Sequence, residues 1–214
     1  MNAAVRVSLG GEDVVLLGGR ALYWPARARL LLADLHLGKA DAFRRAGIAL
    51  PSGGTAHDLA RLDTLLETTG AGSVWVLGDM LHGATDTAGW RQAWDRWRTA
   101  RPRLEVAVLT GNHDRALPAA ALDVRLLGSA VDDGPFAFRH APERHPARHV
   151  VCGHLHPVAV VPGVRRRWPA FWLQTGLTVL PAFSEFTGGA VVAPDDGGRL
   201  VACVDGSAIP LPGA

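Results

Sequence analysis

Leu30-Leu31-Leu32-Ala33-Asp34-Leu35-His36 is the stretch that decides how this chain is read. Four apolar residues in a row, with no polar alternation, suit a strand covered on both faces. The run stops at a carboxylate, with an imidazole two residues on. The same arrangement returns three times. Val74-Trp75-Val76-Leu77 runs into Gly78-Asp79, and Val106-Ala107-Val108-Leu109 is followed after Thr110 by Gly111-Asn112-His113-Asp114. Val150-Val151-Cys152 runs into Gly153-His154-Leu155-His156. An earlier run, Val14-Val15-Leu16-Leu17, reaches Gly18-Gly19 without such a cluster.

Helical periodicity fills the gaps. Leu59, Leu62, Leu65 and Leu66 mark one helix face, with Thr55 as the expected N-cap and Gly70 as the stop. Trp90, Trp94 and Trp97 fall at i, i+4 and i+7, a spacing that predicts a core-facing stripe rather than a stacking platform for bases. Strands alternating with helices place the chain in the α/β class. Ala190-Val191-Val192-Ala193 and Leu200-Val201-Ala202-Cys203-Val204, separated by Asp195-Asp196-Gly197-Gly198, predict a closing β-hairpin. With 214 residues, no repeat and no linker, one domain over 1–214 is expected.

Composition excludes several classes. Apolar residues at 48% and charged residues at 20% are those of a globular chain, not a disordered or fibrous one. Lys and Arg total 22 against 20 Asp and Glu, a net charge of +2 that argues neither for nor against nucleic acid. Lys39 is the only lysine; the preference for Arg, beside 25 Gly and 14 Pro, reads as codon bias. Two cysteines, Cys152 and Cys203, make no disulfide framework. Met1 to Gly18 shows no basic stretch leading into an apolar one, and no run approaches the roughly 18–20 apolar residues of a membrane span. A soluble, cytoplasmic protein with no membrane partner is expected.

The histidine-bearing clusters at the strand ends carry the chemistry. In open α/β sheets, ligands bind beyond the carboxyl ends of the strands, where four polar clusters would converge. Carboxylates, imidazoles and a carboxamide, without thiolates, suit Mn²⁺, Fe or Zn²⁺. There are too many donors for one ion, so two divalent metal ions are expected. Gly before Asp79, Asn112 and His154 permits the tight turn that aims each side chain back into the site.

These motifs, spanning roughly 28–160 and in order, resemble the calcineurin-like metallophosphoesterase superfamily. Ala33-Asp34-Leu35-His36-Leu37-Gly38-Lys39-Ala40, Gly78-Asp79-Met80-Leu81-His82, Gly153-His154-Leu155-His156-Pro157 and the late Leu180-Pro181-Ala182-Phe183-x-x-Phe186-Thr187-Gly188-Gly189 are similar to the ligase-associated DNA-damage-response endonuclease family called PdeM. The resemblance implies a four-layer α/β/β/α sandwich of two mixed β-sheets flanked by helices, with the site at one edge. It implies one metal on Asp34, His36, Asp79 and His156, and a second on Asp79 as the bridge, Asn112, His154 and a further histidine. His140, which ends an apolar segment, is chosen over His145 and His149. The metals are expected to be Mn²⁺, with Fe or Zn as alternatives. His113 is implied to touch the phosphoryl oxygens or protonate the leaving oxygen, with Asp114 orienting its ring.

Further substrate contacts are named more loosely: His82, three residues after the implied bridge; Arg115, after the acid; Lys39, close behind the first motif; and Arg165, Arg166 and Arg167, the densest basic cluster. The implied activity is hydrolysis of phosphodiesters, as a DNA endonuclease in repair, with DNA as substrate and a repair ligase or helicase as partner. The alternatives are a phosphodiesterase or phosphatase of small nucleotides, and a non-catalytic interaction scaffold.

Overall fold

A computed structural model describes residues 3–50, 53–83, 88–160, 166–193 and 197–212. The first sheet holds β1 (Ala4–Leu9), β2 (Glu12–Leu17), β3 (Ala21–Trp24), β4 (Arg29–Leu32), β5 (Ser73–Leu77), β6 (Glu105–Leu109) and β7 (Arg125–Leu126), in that order. β1 to β4 pair antiparallel; β4 to β7 pair parallel. The second sheet is built from β8 (Ala130–Asp133), β9 (Phe136–Arg139), β10 (His149–Cys152), β11 (Pro157–Val160), β12 (Arg167–Gln174), β13 (Leu177–Val179), β14 (Ala190–Val191), β15 (Arg199–Val204) and β16 (Ser207–Pro210). Its path runs β14-β11-β12-β13-β10-β9-β8, with β15 on β12 and β16 on β15. Both sheets are mixed. The helices are α1 (Lys39–Arg45), α2 (Gly54–Thr69) and α3 (Ala88–Thr99).

The continuous apolar strands have a direct explanation. In β4, Leu31 faces the second sheet, packing in one cluster with Trp75, Phe136, Phe138 and Phe171. Leu30 and Leu32 point the other way, into a cluster with Leu59, Leu62, Leu65 and the three tryptophans of α2 and α3. Each strand buries both faces, so neither can be polar. The Trp stripe is core: Trp90, Trp94 and Trp97 are 6%, 1% and 6% exposed. Trp94 Nε1 donates to Leu122 O at 2.9 Å, and Trp97 Nε1 to Asp63 Oδ1 at 2.6 Å. The far face of the second sheet buries its apolar residues in smaller clusters drawn from strands and loops, without a helical residue. The two mixed sheets of the expected sandwich are therefore present, with the helical layer over the first.

Two local expectations are corrected. Helix α2 starts a residue before Thr55 and is capped by Gly53 in the left-handed region, which suits glycine, while Gly54 in its first turn packs so closely on Phe186 that it has no room for a Cβ. Gly70 ends it as read, with its N–H on Leu66 O. The closing hairpin is also different. β14 pairs parallel with β11, while β15 turns through Asp205-Gly206 into β16. Gly189 makes the first pairing possible, since a side chain there would meet Val158 and the His156 carbonyl. Asp195 and Asp196 of the expected turn lie outside the described residues.

Both cysteines are buried thiols; burial raises both, Cys203 to about 12. His149 is likewise interior, its Nε2 paired with Thr178 Oγ1 at 2.9 Å, and burial lowers its pKa. The unfolded chain then takes up this proton more readily than the folded one. Stability from this residue is complete above the ordinary histidine value of about 6.5 and falls as pH drops below it, by up to about 1.4 kcal/mol per pH unit for one proton. Thermal melts between pH 7.5 and 5.5 are expected to show a falling Tm. His149→Gln, which can keep the Thr178 bond, should flatten that slope.

Candidate metal centre

Five loops meet where β4, β5 and β6 of the first sheet and β9 and β10 of the second end. Backbone bonds knit them: Asp34 N–H donates to Gly78 O at 3.1 Å, His36 N–H to Asp79 O at 2.9 Å, and Gly153 N–H to His140 O at 3.0 Å. Ten described non-glycine residues have positive φ, and five of them are Asp34, His36, Asp79, His154 and His156. Such backbone costs about 1–3 kcal/mol per residue and persists where the surroundings enforce it, typically at ligand clamps. Strain concentrates here because each side chain must turn back across its own strand end.

The first group is Asp34, His36 and His156, whose donor atoms lie within 4.8 Å of one another. Asp34 is fully buried; Oδ2 accepts the His154 N–H at 2.9 Å. Its Oδ1 has no hydrogen-bond partner and lies 3.5 Å from His156 Nε2, itself buried and without one. Both ring nitrogens of His36 are in the same condition. Burial, with neighbouring cationic groups, pushes the His36 pKa down to about 2, so the ring is neutral. Buried polar atoms left unpaired are costly, and a divalent cation would satisfy Asp34 Oδ1, His156 Nε2 and one ring nitrogen of His36 together.

The second group is Asp79, His140 and His154, also within 4.8 Å. His140 Nδ1 meets the Leu77 carbonyl at 3.1 Å. A carbonyl only accepts, so Nδ1 carries the proton and Nε2 presents a lone pair. That lone pair faces Asn112 Oδ1 at 2.8 Å, His154 Nδ1 at 3.0 Å and Asp79 Oδ2 at 3.5 Å. With both imidazoles in the ligating tautomer, four lone pairs converge on one point, an arrangement that a cation among them would satisfy. An imidazole whose second nitrogen donates to a backbone carbonyl is the usual arrangement of a metal-bound histidine. The donor set, nitrogen and oxygen without sulfur, fits Mn²⁺, Fe or Zn²⁺.

Glycine enforces this geometry at Gly78. It has φ +86°, and a Cβ there would fall inside the His140 imidazole. Gly78→Ala is expected to lower stability by more than the roughly 1–3 kcal/mol of the backbone alone, a Tm loss of several degrees. Differential scanning fluorimetry, with and without Mn²⁺, measures it.

Of the three histidines considered for the last position, the fold brings only His140 into the cluster. His145 Nδ1 accepts the Ala147 and Arg148 N–H groups in a loop, and His149 is paired with Thr178. His113 stands exposed at the rim. Its N–H donates to Asp79 Oδ1 at 2.9 Å, and its ring lies edge-on to His36 and stacked on His82, centroids 5.6 Å apart. Asp114 does not hold the His113 ring as expected. It is fully buried, and its oxygens accept the Leu81 and Gly111 N–H groups at 2.9 Å each. The β6 loop needs those backbone donors satisfied, so the carboxylate positions His113 through the loop rather than through its imidazole.

His82 borders His36 and His113, its Nδ1 buried without a partner, and burial lowers its pKa. Lys39 opens α1, half-buried; burial lowers its pKa, opposed by the nearby charges of Asp34 and Asp79. The lone lysine therefore senses both carboxylates. Arg115 is exposed beside His113. Arg166 and Arg167 are exposed at the start of β12, and Arg165 lies outside the described residues. Arg20, which no sequence signal marks, reaches the same neighbourhood. It shares a cavity wall with His156, Arg166 and Arg167.

Among solved structures, the chain is similar to the nuclease MPE of Pseudomonas putida, with 36% identity and a TM-score of 0.84 over 97% of this chain and 100% of that one. Fainter likenesses are to the phosphoesterase Yfce of E. coli (18% identity, TM-score 0.46, 85% of this chain and 96% of that one) and to a protein of unknown function from Aquifex aeolicus (14%, 0.42, 60% and 78%). Both are too distant to inform the chemistry. No protein-family model and no curated protein matches the chain.

Proposed function

Since the chain belongs to the calcineurin-like metallophosphoesterases, we propose that it is a dinuclear metal-dependent phosphodiesterase, and that its substrate is DNA, cut endonucleolytically in repair. The observation that carries this reading is the pair of donor clusters, each able to hold a metal ion, the first with buried polar atoms that have no hydrogen-bond partner. The nuclease named above supports the nucleic-acid substrate. No described helix is long and apolar enough to cross a membrane. Placement in the cytoplasm, and a ligase or helicase partner, belong to the same proposal.

Asp34, His36, Asp79 and His156 would hold one ion, and Asp79, Asn112, His140 and His154 the other, with manganese as the native metal. When bound, such a pair supplies Lewis-acid charge at phosphoryl oxygens and lowers the pKa of a water molecule. The chain's own contribution lies at the rim. His113 has its backbone anchored on Asp79 and its ring at the exposed rim between His36 and His82, placed to give a proton to the departing alkoxide oxygen. Asp114 keeps that loop in register. His82, against the flat face of His113, limits how the ring can turn.

The deciding measurement is a Mn²⁺-supplemented panel of single-stranded DNA, duplex DNA, cyclic nucleotides, mononucleotides and bis(p-nitrophenyl) phosphate. Cleavage of DNA and of the aryl diester is expected. Turnover confined to the small molecules would sink the nuclease reading, and inertness toward every substrate with Mn²⁺, Fe²⁺ and Zn²⁺ would sink the hydrolase itself.

A further inference from the structure

A cavity of about 350 Å³ opens beside the first donor cluster, sharing His156 as a wall. Three guanidinium groups line it. Arg20 is half-buried, its Nη1 donating to the Ser184 and Phe183 carbonyls at 3.1 and 3.4 Å, which fixes the side chain. Arg166 lies with Cζ 3.9 Å over the Trp168 ring, and Arg167 begins β12, paired with Val160. Among the described residues that line it, the one acidic group, Glu185, is engaged by Arg61 at 3.3 Å and meets His57 Nδ1 at 3.1 Å. Among its described lining residues the cavity therefore carries three guanidinium groups against one carboxylate, and that carboxylate is paired with Arg61.

A concave site of one sign, walled by protein, attracts the opposite charge more strongly than the same residues on a flat surface. Planar guanidinium groups match phosphate oxygens in pairs. The volume sits at the low end of ligand sites, which run from roughly 300 to 1,000 Å³, enough for one nucleotide unit and too small for a duplex. A simple diester bound at the donor clusters would leave this space empty; an oligonucleotide has a second phosphate to place in it.

We propose that Arg20, Arg166 and Arg167 form a subsite for the phosphate and sugar of the nucleotide next to the scissile bond, so that the enzyme prefers oligonucleotides over isolated diesters. The subsite rests on the phosphodiesterase reading above, but its occupancy can be measured without turnover. Arg166 and Arg167 are exposed and their truncation leaves the packed core alone; Arg20, tied to two carbonyls, is kept intact.

The test is fluorescence anisotropy of a labelled single-stranded DNA hexamer with Ca²⁺ in place of Mn²⁺, across a salt series, on wild type, Arg166→Ala/Arg167→Ala and Arg166→Lys/Arg167→Lys. Circular dichroism confirms folding of each. The double Ala variant is expected to bind about tenfold more weakly, with the salt slope reduced by about 1.4, from roughly 0.7 per phosphate contact on a single strand. The double Lys variant keeps the slope because it keeps the charge. In parallel, selectivity for a 5′-phosphorylated dinucleotide over bis(p-nitrophenyl) phosphate should fall in the double Ala variant. Unaltered affinity and slope in that variant, or no hexamer binding by wild type, would overturn the subsite while leaving hydrolysis of small diesters to be judged separately. Binding that responds as expected in a protein without hydrolytic activity would uphold the subsite and reject the phosphodiesterase reading.

Discussion

Asp79→Asn is expected to lower kcat/KM for a phosphodiester by roughly a thousandfold or more. A metal ion contributes several kcal/mol of transition-state stabilisation, and each factor of ten corresponds to about 1.4 kcal/mol. The amide isolates charge from structure. Its oxygen can still accept the His113 N–H, now 2.9 Å from Asp79 Oδ1, so the β6 loop should stay in place. At the other position an NH₂ group replaces the Oδ2 that lies 3.5 Å from His140 Nε2. A donor then points at a lone pair, and the second cluster loses its only carboxylate. Metal content per chain, by elemental analysis, should drop. The rise in Tm that Mn²⁺ produces in wild type by binding the folded state should shrink with it. A variant that held two ions per chain and turned over normally would remove Asp79 from the proposed mechanism.

His113→Ala should reduce kcat by about 10²–10⁴, the usual contribution of a positioned general acid, with metal content unchanged. The imidazole belongs to neither donor cluster, and the backbone N–H that anchors Asp79 survives the substitution. The loss should depend on the leaving group. An alkoxide leaving from DNA needs a proton, whereas p-nitrophenolate is stable without one, so bis(p-nitrophenyl) phosphate should suffer least. Equal losses on both substrates, or loss of metal, would mean that His113 acts as a ligand or a structural residue instead.

The strands that carry the site were legible because burial on both faces leaves an uninterrupted apolar signature. Leu30 to Leu32, Val74 to Leu77 and Val106 to Leu109 show it, ending in their polar clusters. Edges and caps were not, because short segments take whichever partner is nearest. Ala190-Val191 found β11 rather than β15, and Gly53, in the left-handed region, caps the helix in place of Thr55. Asp114 was identified as a member of the site from its place in Gly111-Asn112-His113-Asp114, yet its carboxylate serves the Leu81 and Gly111 N–H groups. Gly111 is three residues away, but nothing local to Asp114 signals the Leu81 donor, 33 positions distant.

The sequence by itself determined the α/β class, the donor types and the strand ends on which they sit, since periodicity and side-chain chemistry are local properties. Tertiary structure alone decided which donors meet. Three candidate histidines of equal chemistry lie within ten positions, and only His140 reaches Asn112, His154 and Asp79, because Gly153 N–H bonds its carbonyl and Leu77 fixes its ring. The neighbouring cationic cavity is likewise a product of folding, joining Arg20 to Arg166 and Arg167 across most of the chain. Distances between residues far apart in sequence are set by the packing of two sheets, and no window along the chain contains them.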